Sequence, residues 1–306
     1  MNFFDLHCDT LYKVVCEDKS LIQNNCDVSL EKAKIFDKYI QCFAVWIPDD
    51  VRKSKAMELF EKCRKKLSQE FVSFGETGSI VDNNFSEKKI QAILTVEGSA
   101  VLGGKIENIK YLKKCGVKVI TLTWNGSCEV GDGCAVHNAL GLSDFGKSVV
   151  QSMDKYGIVI DVSHASEKLF YNVACNSSKP FIATHSNSFE ICNHYRNLKD
   201  EQFQIIKQCG GLVGITFFDE FLGLEKYHSG FDKIRAHVEH FLELGGEKTL
   251  SIGSDFDGAN MIEEIKSIEK IKYLYEFFLK KNYKEKVVKD IFFDNAYNFF
   301  KNKIEF

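Results

Sequence analysis

The chain has 306 residues, of which 44% are hydrophobic and 27% are charged, as in a globular protein. Its net charge of −3 gives no reason to expect nucleic acid or an anionic membrane as a partner. No apolar run in the sequence approaches the ~18–20 residues that a membrane helix needs.

The amino terminus and the cysteines both favour a cytoplasmic location. The first ten residues, MNFFDLHCDT, have neither the basic nor the apolar region of a signal peptide. The eleven cysteines are an odd number and include no C-x-x-C pair. We therefore expect free thiols in a reducing compartment and no disulfide framework.

Eight short apolar runs predict strands, and amphipathic segments between them predict helices. Several runs are apolar almost throughout, as in strands that are covered on both faces. The strands are predicted over residues 2–7, 39–46, 90–96, 117–123, 158–163, 181–184, 212–217 and 249–253. Helices are predicted over 51–69, 108–115, 144–156, 166–175, 200–208 and 231–244, and the region 263–303 is predicted to be entirely helical.

This alternation predicts an α/β fold, a single (β/α)8 TIM barrel with extra C-terminal helices, in one domain over residues 1–306. A doubly wound parallel sheet is the alternative. Two long connections, 10–38 and 125–143, follow the first and fourth strands. Loops at the carboxyl ends of barrel strands carry function, so we expect both at the mouth of an active site.

Polar side chains at the ends of the first and third strands are candidate metal ligands. His7 and Asp9 are two residues apart, so both can point at one ion from the same face of the strand. Glu97 closes the hydrophobic third strand. Taken singly, a His-x-Asp pair arises often by chance, and such a glutamate often begins a helix.

Histidines close the fifth and sixth strands, and two acids follow the eighth. His164 and His185 each end an apolar run, where a single histidine is most often a hydrogen-bonded core residue. Asp255 and Asp257 come directly after the last strand. Because the carboxyl ends of all these strands meet on one rim of a barrel, their conjunction predicts a metal site there.

The ligand types indicate which metal is expected. Histidines and carboxylates without a cysteine cluster suit a catalytic Zn²⁺, with Mn²⁺ or Co²⁺ as substitutes. Three histidines and two or three carboxylates exceed the needs of one tetrahedral ion. Two ions about 3.5–4 Å apart that share a carboxylate and a water account for the surplus, and Glu97 is the natural bridge.

The remaining histidines are not expected to bind metal. His237 and His240 lie three apart on a predicted amphipathic helix, as part of a solvated or packed face. His137, in the long fourth loop, is near enough in sequence to the rim to approach a substrate. His228 lies in a predicted loop, and His194 is given no role.

Six motifs, in this order along the chain, resemble those of the membrane dipeptidase (renal dipeptidase) family of zinc peptidases, peptidase family M19. They are DLHCDT, TVEGS, IDVSHAS, ATHSNS, YRN and GSDFDG. The resemblance runs from Asp5 to Gly258, and its combination of motifs is more specific than any one of them. It implies that His7 and Asp9 hold one zinc, that His164 and His185 hold the other, and that Glu97 bridges the two ions.

The resemblance also implies roles beyond metal binding. Arg196 is similar to the family arginine that holds the substrate carboxylate, a task that suits a bidentate guanidinium. Asp255 resembles the acid that works beside the metals, whereas Asp257 is expected to support the turn. The best-known family members carry a histidine where this chain has Trp124, and that histidine contacts the substrate near its scissile carbonyl. Trp124 is therefore expected to touch substrate, with an effect on rate and substrate range.

The function expected from these features is hydrolysis of dipeptides by a zinc-dependent dipeptidase with two Zn²⁺ ions. A hydroxide that bridges the metals would attack the scissile carbonyl, and Asp255 would carry the proton to the leaving amine. Family members are often dimers, so a homodimer is compatible with the resemblance. The alternatives are another metal-dependent amidohydrolase, such as a deacylase or lactonase, and a binding protein or weakly active relative because of Trp124.

Overall fold

The computed structural model of the chain describes residues 1–51, 53–82, 84–223 and 229–303. Its strands pair in parallel throughout, in the order β6-β5-β4-β2-β1-β8-β7, and β3 lies beside the start of β4. The strands are β1 (Phe3–Cys8), β2 (Tyr39–Trp46), β3 (Gly78–Ile80), β4 (Ile90–Glu97), β5 (Val117–Thr121), β6 (Val159–Asp161), β7 (Val213–Ile215) and β8 (Leu250–Ile252).

Segment 181–184 closes this sheet into a ring of eight. On one side it bridges β6, where the Val162 amide donates to the Ile182 carbonyl at 2.8 Å. On the other it bridges β7, where the Gly214 amide donates to the Ala183 carbonyl at 2.8 Å. The predicted barrel is therefore confirmed, and its sixth strand is formed by single bridges rather than by a continuous ladder.

The helices follow the strands around the outside of the ring. Ser143 and Ser166 begin two of them, and each side chain accepts a hydrogen bond from a backbone amide of the first turn. The helices are α1 (Thr10–Cys16), α2 (Lys53–Phe74), α3 (Glu107–Lys114), α4 (Asp144–Tyr156), α5 (Glu167–Asn176), α6 (Asp200–Gln208), α7 (Asp219–Leu222), α8 (Gly230–Glu243), α9 (Ile271–Lys280), α10 (Glu285–Lys289) and α11 (Asn295–Lys303).

The structure adds two short elements to the sequence-based prediction and corrects one region. The connection 10–38 begins with α1, which has only seven residues and so shows little periodicity in sequence. Strand β3 is three residues long and was not predicted. The region 263–303 is not one helical run, because Asn282 takes a left-handed φ of 64° between α9 and α10.

One hydrophobic cluster fills the interior of the ring at the amino-terminal ends of the strands. It draws side chains from strands on every side of the ring, including Phe4, Ile40 and Ile182. Helix α11 covers this end, and the rings of Phe300 and Phe4 lie 5.3 Å apart. The carboxyl ends of the strands therefore remain as the open end of the barrel.

Candidate active site

The polar residues predicted at the strand ends lie together at the open end of the barrel. His7 lies near the end of β1 and Glu97 is the last residue of β4, while the others follow strands β1, β6 and β8 or segment 181–184. All are nearly inaccessible to solvent. The six residues that the structure brings together are His7, Asp9, Glu97, His164, His185 and Asp255.

The imidazole of His7 is surrounded by carboxylates. Its Nε2 lies 3.4 Å from Asp9 Oδ2, 3.5 Å from Glu97 Oε2 and 3.9 Å from Asp255 Oδ1. The other oxygen of Glu97, Oε1, lies 2.8 Å from His164 Nε2 and 3.6 Å from His185 Nε2. The two oxygens of Glu97 thus face two different halves of the site.

Hydrogen bonds behind two of the histidine rings determine which nitrogen faces the site. Thr184 Oγ1 lies 2.6 Å from Asp161 Oδ2 and 2.8 Å from His185 Nδ1. Because a carboxylate only accepts, the hydroxyl donates to Asp161 and His185 Nδ1–H donates to the hydroxyl. His164 Nδ1 donates to Asn125 Oδ1 at 2.8 Å. Each ring therefore presents an unprotonated Nε2 to the site.

These donor atoms fit a metal ion. His164 Nε2 and His185 Nε2 lie 3.0 Å apart, and two lone pairs at that distance repel unless a cation lies between them. His7 Nε2 and Asp9 Oδ1 are buried without a hydrogen-bond partner, an arrangement that costs free energy unless something binds them. Two sets have ligand atoms all within 4.8 Å of one another: His7, Glu97 and His185, and His7, Asp9 and Asp255.

The buried charges act in opposite directions on His7 and His164. Burial disfavours the charged form of His7, but the adjacent Glu97 and Asp9 outweigh it and raise the pKa of the imidazole. Burial and the nearby Arg196 lower the pKa of His164 to about 4. A metal requires a neutral imidazole, and the lowered pKa of His164 meets that requirement.

Asp255 differs from the other carboxylates. Burial raises its pKa to about 7, assisted by the negative charges of Asp9 and Glu97 and opposed by His7. A carboxyl group with a pKa near neutrality can both take up and release a proton during turnover.

Three residues at the strand ends have backbone angles that most side chains avoid. His164, Asp255 and Asp257 have φ values of 65°, 67° and 67°. Such left-handed conformations cost free energy in non-glycine residues and persist only where surrounding contacts hold them. Asp257 is held by a 2.5 Å hydrogen bond from Thr10 Oγ1 and a 3.0 Å ion pair with Lys13. It connects the turn after β8 to α1, as expected for a supporting residue.

A cavity of about 480 Å³ opens beside these residues. Arg196 and Trp124 both line it, together with His164. The side chain of Arg196 is buried with its Nε unpartnered, and its Nη2 donates to the His185 carbonyl oxygen at 3.4 Å. Several donors of the guanidinium thus stay available to a ligand.

The sequence reasoning missed several residues of this cavity. His194, which was given no role, lines it, and its Nδ1 accepts a hydrogen bond from the Arg196 amide. Tyr12 and Trp46 line it too. Trp46 is the last residue of a predicted strand. Its position at a strand end is the feature of the sequence that could have placed it at the cavity.

The remaining histidines among the described residues do not line the cavity. His237 is buried, and its Nδ1 accepts a hydrogen bond from the Ser188 amide. It therefore lies on a packed face of its helix rather than on a solvated one. His240 pairs with Asp200 at 2.6 Å. His137 is exposed and is not among the described residues that line the cavity. His228 lies outside the described residues.

Comparisons with known proteins agree with the fold. The sequence profile of the membrane dipeptidase family, peptidase family M19, matches residues 1–305. A metallo peptidase from Rhodobacter sphaeroides, crystallised with a phosphinate mimic of the dipeptide L-Ala-D-Ala, superposes with a TM-score of 0.91 at 21% identity, over 99% of each chain. The probable dipeptidase PvdM from Pseudomonas aeruginosa gives a TM-score of 0.88 at 18% identity, over 97% of this chain and 94% of that one.

One relative found by sequence has a higher identity to this chain than these two solved structures, but its description names no activity. An uncharacterized protein encoded in the pqqA 5′ region of Klebsiella pneumoniae is 27% identical over 225 residues. The match covers 71% of this chain and 83% of the relative. Among the described residues, no helix is long and apolar enough to cross a membrane.

Gly258 tests the position of the Asp9 carboxylate. A Cβ atom at Gly258 would lie 2.0 Å from Asp9 Oδ2, so Gly258→Ala must displace that carboxylate. We expect the variant to bind zinc about tenfold or more weakly, as measured by competition with a chromogenic chelator. Asn260→Ala, at an exposed neighbouring position, is the matched control. Equal zinc affinity of Gly258→Ala and the control would mean that Asp9 is not a ligand.

Proposed function

The chain belongs to the membrane dipeptidase family of metallopeptidases, and we propose that it is a zinc-dependent enzyme that cleaves the peptide bond of dipeptides. Family membership supports a metal-dependent dipeptidase. One observation supports the zinc proposal most strongly. Several nitrogen and oxygen atoms with free lone pairs lie close together around Glu97, and a bound cation would stabilise them there.

Two Zn²⁺ ions are the proposed cofactors. His7 and Asp9 would hold one ion, His164 and His185 the other, and Glu97 would serve as a ligand of both. When bound, such ions lower the pKa of a water molecule and polarise a carbonyl group. The two oxygens of Glu97 contact different histidines, His7 and His164, which supports its role as a ligand shared by both ions.

Asp255 is proposed to move the proton. Its Oδ1 lies 3.9 Å from His7 Nε2, so it borders the metal ligands while remaining beside the cavity. It would accept the proton of the water that attacks the scissile carbonyl carbon and release it to the leaving nitrogen as the C–N bond breaks. This restores the carboxylate and yields one acid and one amine.

Arg196 is proposed to bind the terminal carboxylate of the substrate. Burial in a partly apolar setting, 5.2 Å from the centroid of the Phe221 ring, strengthens a charge-assisted hydrogen bond to an anion. An anchor this close to the metal ligands favours short substrates with a free C-terminus. The dipeptide mimic bound by the Rhodobacter sphaeroides relative supports the same substrate class. Trp124, whose ring centroid lies 6.1 Å from that of His164, is proposed to contact the substrate as well.

Asp255→Asn is the most direct test of the proton carrier. Asparagine tolerates the left-handed φ of this position, so the backbone should be kept. We expect full zinc content and a fall in kcat of about 100-fold or more, as measured with a metal-replete enzyme on dipeptides. The exposed Asp144→Asn on α4 is the control. Undiminished turnover of Asp255→Asn would contradict the assigned role.

Arg196→Lys tests the carboxylate anchor. Lysine keeps the charge but loses the two-pronged contact, so KM for a dipeptide should rise about tenfold. KM for the corresponding dipeptide amide, which lacks the carboxylate, should change far less. Arg235→Lys, whose guanidinium pairs with Glu239 on α8, serves as the matched control. Equal losses on the acid and the amide would show that Arg196 does not read the carboxylate.

A further inference from the structure

Three aromatic side chains form one side of the cavity, and we call Tyr12, Trp46 and Trp124 the aromatic wall. Tyr12 lies on α1, Trp46 ends β2 and Trp124 follows β5. The ring centroids of Tyr12 and Trp46 are 4.9 Å apart, and those of Trp46 and Trp124 are 5.1 Å apart. Each ring meets the next at a steep angle of 76° or 66°, the edge-to-face packing that stabilises aromatic pairs.

The aromatic wall keeps surface open to the cavity. Trp46 is only partly buried, although Phe43 and Val45 just before it in β2 are fully buried in the core. Tyr12 and Trp124 are also partly buried, and all three residues line the cavity. Aromatic side chains grouped on a concave surface are typical of a ligand site. The cavity volume of about 480 Å³ is within the ~300–1,000 Å³ of such sites.

Trp46, the middle residue of the aromatic wall, lies across the ring of strands from segment 181–184, whose neighbour His185 accepts a hydrogen bond from Arg196. Arg196 follows segment 181–184, and β2 is four places from that segment in either direction around the ring of eight. The metal-ligand set lies between them, and the ring of Trp124 approaches that of His164 to 6.1 Å. A substrate held by Arg196 with its scissile bond beside these histidines must therefore extend its other end toward the wall.

Two charged residues that line the cavity close to Tyr12 in the chain are already paired. Lys13 on α1 forms an ion pair with Asp257 at 3.0 Å, and Glu17 pairs with Lys19. Neither is free to neutralise a charged substrate side chain without losing its partner. The wall itself offers aromatic surface, which favours an apolar side chain over a charged one.

We propose that the aromatic wall binds the side chain of the N-terminal residue of the dipeptide and selects large apolar or aromatic side chains there. This inference rests on the proposed dipeptidase function. It makes Tyr12 and Trp46, which no sequence motif singled out, determinants of specificity.

The test compares dipeptides that differ only in the N-terminal residue. With zinc-replete enzyme, kcat/KM for Phe-Gly should exceed that for Ala-Gly about tenfold or more, and Lys-Gly should be poor. Trp46→Ala should reduce the Phe-Gly to Ala-Gly ratio about tenfold, while Trp46→Phe retains most of it. The ratio of Gly-Phe to Gly-Ala should not move in either variant. Tyr273→Ala, an exposed aromatic on α9, should leave every ratio unchanged.

The outcomes separate this inference from the function on which it rests. A wild-type ratio near one, or a ratio that Trp46→Ala leaves intact, overturns the inference while hydrolysis still supports a dipeptidase. If Trp46→Ala does not fold, Tyr12→Ala, on α1, must lower the same ratio for the inference to stand. Absence of hydrolysis of every dipeptide by zinc-replete wild type would overturn the proposed function and the inference together.

Discussion

The buried carboxylate of Glu97, enclosed by three imidazoles, is the contact on which the rest of the site depends. A carboxylate out of water costs several kcal/mol unless it is paired. Here its partners His7, His164 and His185 come from three separate parts of the chain. His7 and His164 reach Glu97 through directly paired strands, and His185 joins them where segment 181–184 closes the ring. Closure of the barrel therefore completes the candidate site.

The two ends of the barrel divide the tasks of stability and chemistry. At the amino-terminal end, apolar side chains and α11 fill the interior. At the other end, His164 and Asp255 hold left-handed backbone angles and repelling donor atoms face one another. Interactions of this kind lower the stability of the fold locally. They are tolerated because the hydrophobic packing at the amino-terminal end keeps the strands in place.

Much of the site could be predicted from sequence because each ligand is attached to a strand whose apolar pattern is plain. The spacing of His7 and Asp9 needs only the two-residue period of a strand. The aromatic wall could not be predicted in the same way. Tyr12 lies on a seven-residue helix with little periodicity, and its contact with Trp46 depends on the pairing of β1 with β2. The sixth strand was placed correctly, but its reduction to single bridges depends on neighbours distant in sequence.

Titration of zinc into the metal-free protein, with dipeptide hydrolysis followed in the same samples, tests the central claim most directly. Binding of two zinc ions per chain is predicted, with hydrolysis appearing as the sites fill and disappearing on chelation. In His164→Ala, one ion should be lost or greatly weakened, because only one half of the site is changed. A stoichiometry of one ion in the wild type, or two bound ions without hydrolysis of any dipeptide, would contradict the account.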